Sequence, residues 1–108
     1  MKLGRIKRRV MEIGMVGRIA HNLAKYSVAV DGAYSETEFL FEVHAYMLEC
    51  GVELEQVNNW IDTAKTQAQT EINFFLANGT FSDSHGGTAI TVDALIGSIL
   101  EDLGYKTN

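Results

Sequence analysis

Proline is absent from this chain, cysteine occurs once, and no apolar run approaches the roughly 20 residues that a membrane-spanning helix needs. Without proline, long helices are free to run unkinked from that source. The lone Cys50 forms no internal disulfide, so the expected setting is a reducing, cytoplasmic one, with a cysteine-poor extracellular protein as the alternative. The basic start of the chain has no continuous apolar stretch behind it, which reads against a secretory signal. What is present suits a folded body. Hydrophobic residues make up 46% of 108, enough to argue against disorder, and the length fits a single domain over residues 1–108.

Charge is sorted along the chain. Seven of the nine cationic side chains, Lys2, Arg5, Lys7, Arg8, Arg9, Arg18 and Lys25, fall in the first 25 residues, where only Glu12 opposes them. That segment carries +6, whereas residues 26–108 hold two cations against thirteen carboxylates and carry −11. The net charge of −5 conceals this division, which points to a partner surface rather than to a reaction.

Helical periodicity marks four segments, and the expected fold class is all-α: a compact bundle of four or five helices with one long ordered loop at about 79–91. The first segment covers about 2–28. Leu3, Ile6, Val10 and Ile13 form its early apolar set, opposite Arg5, Arg8, Arg9 and Glu12. Beyond Gly14 and Gly17 the polar stripe moves to Arg18, His21, Asn22 and Lys25, and a single straight helix has to bury a rotating stripe. Two readings stand: a basic appendage helix over residues 1–14 joined through the glycines, or one continuous helix. The second segment opens on Ser35 with Glu38 three residues on, a capping box, and stops before Gly51. Phe39, Leu40, Val43, Tyr46, Met47 and Cys50 line one face, with Phe41, Ala45 and Leu48 on the other. Such a helix is either the centre of the bundle or meets another chain with its second face. The third spans about 54–77 and ends at Asn78-Gly79. The fourth starts after Thr91 and stops at Gly104.

The link between the first two helices reads Ser27-Val28-Ala29-Val30-Asp31-Gly32-Ala33-Tyr34-Ser35-Glu36-Thr37-Glu38. This segment resembles a degenerate EF-hand loop, and its Asp-Gly-x-x-Ser-x-x-Glu pattern between two helices is similar to that of the TerB-like (tellurite-resistance) helical family. The EF-hand resemblance implies a divalent-cation site with Asp31, Ser35 and Glu38 as side-chain ligands. Ser27 and Ala29 stand where further ligands belong, and two carboxylates hold calcium feebly. The alternative is structural: Gly32 makes the turn, and Ser35 and Glu38 serve the cap.

Nothing else in the chain has the spacing of a catalytic or cofactor site. His21, His44 and His85 show no metal-ligand pattern. Asp83, Ser84 and His85 are adjacent in sequence, which is not the spatial arrangement of a triad. Cys50 ends an apolar face and reads as a buried, inert thiol. The expectation is therefore a non-enzymatic protein-binding or regulatory module, an adaptor or small inhibitor without a cofactor. Its partner surface would be Arg5, Lys7, Arg8 and Arg9, and it would self-associate, as a homodimer for example, through Phe41, His44, Ala45 and Leu48. The alternatives are the weak cation-binding domain and a nucleic-acid accessory protein that uses the basic helix on phosphates.

Overall fold

The computed structural model describes residues 4–28, 35–81 and 91–107. They form four α-helices and, among the described residues, no strand: α1 (Arg5–Val28), α2 (Glu36–Glu49), α3 (Leu54–Asn78) and α4 (Val92–Asp102). The all-α expectation holds. The body measures 44 × 27 × 23 Å, and no described helix is long and apolar enough to cross a membrane.

Helix boundaries follow local chemistry. The Ser35 hydroxyl accepts from the Glu38 amide at 3.1 Å and opens α2, and the Thr91 hydroxyl accepts from the Ala94 amide at 3.3 Å and opens α4. Both satisfy amides that have no intrahelical acceptor. At the other ends, Gly51, Gly79 and Gly104 adopt φ values of 91°, 77° and 100°, a left-handed conformation that glycine enters without a Cβ penalty.

The centre of the bundle is α1, not α2. Between Met15 and Ala24 every residue except Arg18 is buried, because α3, α4 and α2 all pack against this half of the helix. Met15, Ile19 and Ala20 are fully inaccessible, and burial of a side chain the size of methionine or isoleucine stabilises by roughly 1.5–3 kcal/mol. Residues 5–28 form one uninterrupted helix through Gly14 and Gly17.

Helices α1 and α3 run parallel: Ile13 and Val16 lie beside Trp60 and Thr63, and His21 meets Glu71. Helix α4 runs the other way. Arg18 near the middle of α1 donates to the Leu95 carbonyl at 3.2 Å, and Arg8 near its start donates to that of Leu103 at 2.9 Å. The start of α2 is fixed to the end of α1 by Tyr26 against Phe39, ring centroids 5.1 Å apart, and by the Ser27 hydroxyl, which lies within hydrogen-bond reach of both the Leu23 carbonyl and the Glu36 carboxylate. Beyond α4, Tyr105 closes edge-on against Trp60 at 6.3 Å. Of the expected long loop at 79–91, residues 82–90 lie outside the described residues. Phe81 at its start stacks on Phe75 at 4.8 Å.

Candidate protein-docking face

Of the early apolar set, Ile6, Val10 and Ile13 do not enter the core, and Leu3 lies outside the described residues. Ile6 is 82% exposed, Val10 62% and Ile13 56%. Spaced four and then three residues apart, they share one face of the helix. Arg5 and Arg9 border that stripe on one side and Lys7 on the other, as the 100° step of the helix requires. All three cations are exposed and make no ion pair among the described residues.

Arg8 has a different role from the one its sequence neighbours suggest. It turns inward, donates to the Leu103 carbonyl at 2.9 Å and the Tyr105 hydroxyl at 3.4 Å, and pairs with Glu12 at 3.1 Å. Its guanidinium carbon sits 6.0 Å from the Tyr105 ring centre. Of the four cations read as a partner surface, Arg5, Lys7 and Arg9 remain outward and Arg8 holds the body together.

Next to the stripe, a groove of about 340 Å³ opens between α1 and α3. Ile13, Val16 and Trp60 supply its apolar surface, and Arg9, Glu12 and the side-chain amides of Gln56 and Asn59 its polar one. A concavity with an aromatic wall and a charged rim suits an inserted apolar side chain better than a free ion.

A second apolar stripe lies on α2. Phe41 is 75% exposed and Leu48 41%, while His44 and Ala45 are half-buried. Phe41, Ala45 and Leu48 repeat the four-then-three spacing of the α1 stripe. Here the bordering charges are negative: Glu38, Glu42 and Glu49 follow along one side.

The residues read as a cation site come together only in part. Ser35 and Glu38 are engaged with each other at the α2 cap, where the Ser35 hydroxyl also lies 3.3 Å from Glu38 Oε1. Asp31 lies outside the described residues, as do Asp83, Ser84 and His85. No group of three or more metal-ligating side chains forms among the described residues.

Two polar arrangements escaped the sequence reading. Within the polar stripe Arg18, His21, Asn22 and Lys25, His21 and Asn22 are about 1% exposed. His21 Nδ1 lies 2.8 Å from Glu71 Oε1, and its ring meets Phe81 edge-on at 5.4 Å. Asn22 donates to the Arg18 carbonyl at 2.9 Å, and its Oδ1 is buried without a hydrogen bond among the described residues. Apolar periodicity cannot reveal that α3 covers a polar stripe. The second arrangement is Tyr46 with Cys50. Burial, and then the hydrogen bond to Cys50, pushes the Tyr46 hydroxyl up to about 12. Burial also raises the Cys50 thiol, against the opposing hydrogen bond from Tyr46. A buried thiol with a raised pKa is protonated at neutral pH and a poor nucleophile.

No protein family, curated protein or solved structure matches this chain.

Proposed function

We propose that this chain is a non-enzymatic protein-binding module, an adaptor or small inhibitor, that docks through the first half of α1 onto an acidic, apolar-striped helix of its partner. One observation carries the reading: Ile6, Val10 and Ile13 stand in solvent, bordered by Arg5, Lys7 and Arg9, beside a groove walled by Trp60. Three aliphatic side chains on two consecutive turns cost solvation unless something covers them, and the exposed cations select an acidic cover. A nucleic acid would engage the cations and leave the stripe between them in water. A lipid surface calls for a bulky aromatic anchor that the first half of α1 does not have.

The test is affinity capture from native host extract with the wild-type chain and with Val10→Glu as bait, each at low and at raised salt. A bound protein that Val10→Glu loses, and that raised salt weakens, supports the reading. Identical capture by both baits, or capture of nucleic acid that the substitution leaves unchanged, sinks it.

A further inference from the structure

We infer that a second copy of this chain supplies the helix that covers the α1 stripe, and that the covering surface is the α2 stripe Phe41, Ala45 and Leu48. The inference rests on the docking reading above and names its partner. Three relations between the two surfaces carry it.

The first is charge. The α1 stripe is bordered by Arg5, Lys7 and Arg9, and the α2 stripe by Glu38, Glu42 and Glu49. Neither face suits its own kind: two α1 faces set cation against cation, and two α2 faces set carboxylate against carboxylate. Opposite borders favour the cross pairing and penalise both self-pairings.

The second is register. Ile6 to Ile13 and Phe41 to Leu48 each span seven residues, about 10.5 Å at the α-helical rise. Both place their apolar side chains at i, i+4 and i+7. Two such rows can interdigitate along their full length without a break in either helix.

The third is shape. Phe41 is the most exposed aromatic ring of the described residues at 75%, a knob at one end of its stripe. The groove between α1 and α3 opens beside Ile13, walled by Val16 and Trp60. Once the stripes align, that groove lies next to them on the α1 side, and its Arg9 rim meets the acidic border of α2.

Knob and groove sit on different elements of one molecule, so the contact is heterologous. Each copy offers one of each, and copies add head to tail into a ring or an open chain. Two turns of helix bury less than a stable dimer requires, so assembly is weak and grows with concentration.

Sedimentation velocity over a concentration series tests this on four proteins: wild type, Val10→Glu, Phe41→Lys, and Leu76→Glu as control. Leu76 is 73% exposed and belongs to neither stripe. All three substituted sites are exposed, and circular dichroism with thermal unfolding verifies that each variant folds. Wild type and Leu76→Glu should show a mass that rises with concentration. Val10→Glu and Phe41→Lys alone should each associate at least tenfold more weakly. Mixed one to one, the two variants should recover association but stop at a dimer, because Phe41→Lys retains a working α1 face and Val10→Glu a working α2 face. Raised salt should weaken every complex. Three results would overturn the inference: a wild type that stays monomeric throughout, a Val10→Glu protein that associates like wild type, or a mixture that recovers nothing. A monomeric wild type whose Val10-dependent capture persists removes the second copy as partner and leaves the docking reading in place.

Discussion

The guanidinium of Arg8, on the second turn of α1, donates to the carbonyl of Leu103 at the C-terminus of α4 across 2.9 Å. The last turn of α4 contains no basic residue, although its unpaired carbonyls carry the negative end of the helix dipole. Arg8 supplies from 95 residues away the cation that α4 lacks. Arg8→Ala should therefore lower unfolding stability by about 1–2 kcal/mol, as for a partly exposed charge-assisted hydrogen bond. Arg8→Lys should restore only part, because one ammonium cannot span both the Leu103 carbonyl and the Tyr105 hydroxyl. Arg9→Ala, one residue on and exposed, should change stability by less than about 0.5 kcal/mol. Urea titration of the three variants checks this, and equal losses at Arg8 and Arg9 would contradict the assignment of Arg8 to the body.

Two helical glycines should respond in opposite directions to the same substitution. A Cβ at Gly97 would stand 2.9 Å from the Tyr46 hydroxyl, where α2 crosses α4, whereas Gly14 has nothing within 4 Å. Gly14→Ala should stabilise by about 0.5–1 kcal/mol, the propensity gain of alanine in a helix interior. Gly97→Ala should lose that gain and more, a net cost of about 1–2 kcal/mol, because the Tyr46 ring has to shift in a packed interface. Thermal unfolding of both variants reads the sign directly.

The His21–Glu71 pair joins α1 to α3 inside the bundle. Glu71→Ala removes the acceptor from a nearly inaccessible imidazole and should cost about 1–3 kcal/mol. Glu71→Gln keeps an oxygen in place and should cost less. Denaturant midpoints rank the two, and a Gln variant as unstable as the Ala variant would show that the carboxylate's charge, not the hydrogen bond, holds the helices.

What could be read in the chain before its fold depended on whether the signal was local. Ser35 with Glu38, Thr91, and the glycines at 51, 79 and 104 act on their own neighbours, and the helix ends lie where these residues place them. The stripe of α3 from Val57 to Ile72 is buried or half-buried, as its spacing indicates. Helix α1 was ambiguous because its two stripes obey different neighbours. From Met15 onward α3, α4 and α2 enclose the helix, so even His21 and Asn22 are covered. Before that, Arg8, Met11 and Glu12 turn to the body, while Ile6 and Val10 turn away from it. Hydrophobicity alone assigns Ile6 and Val10 to a core. The position of the C-terminal segment, which Arg8 contacts at Leu103 and Tyr105, decides otherwise, and that is a long-range fact.

Alkaline pH should expose the junction between α2 and α4. The Tyr46 hydroxyl ionises ordinarily near 10.0, and in the fold it is pushed up to about 12, chiefly by burial. Cys50 is raised from 9.0, again chiefly by burial. For both groups the fold favours the protonated form. Their contribution to stability is therefore complete below the ordinary values and is lost as pH rises through the folded ones. The melting temperature should hold steady up to about pH 9 and then fall, first through Cys50 and then through Tyr46. Tyr46→Phe carries no ionisable hydroxyl and should flatten the upper part of that fall. In the same proteins, the native thiol should react with an alkylating reagent at least about a hundredfold more slowly than in denaturant, since thiolate fraction and access both limit attack. If the alkaline limbs of wild type and Tyr46→Phe coincide, Tyr46 is not the group whose ionisation opens the junction.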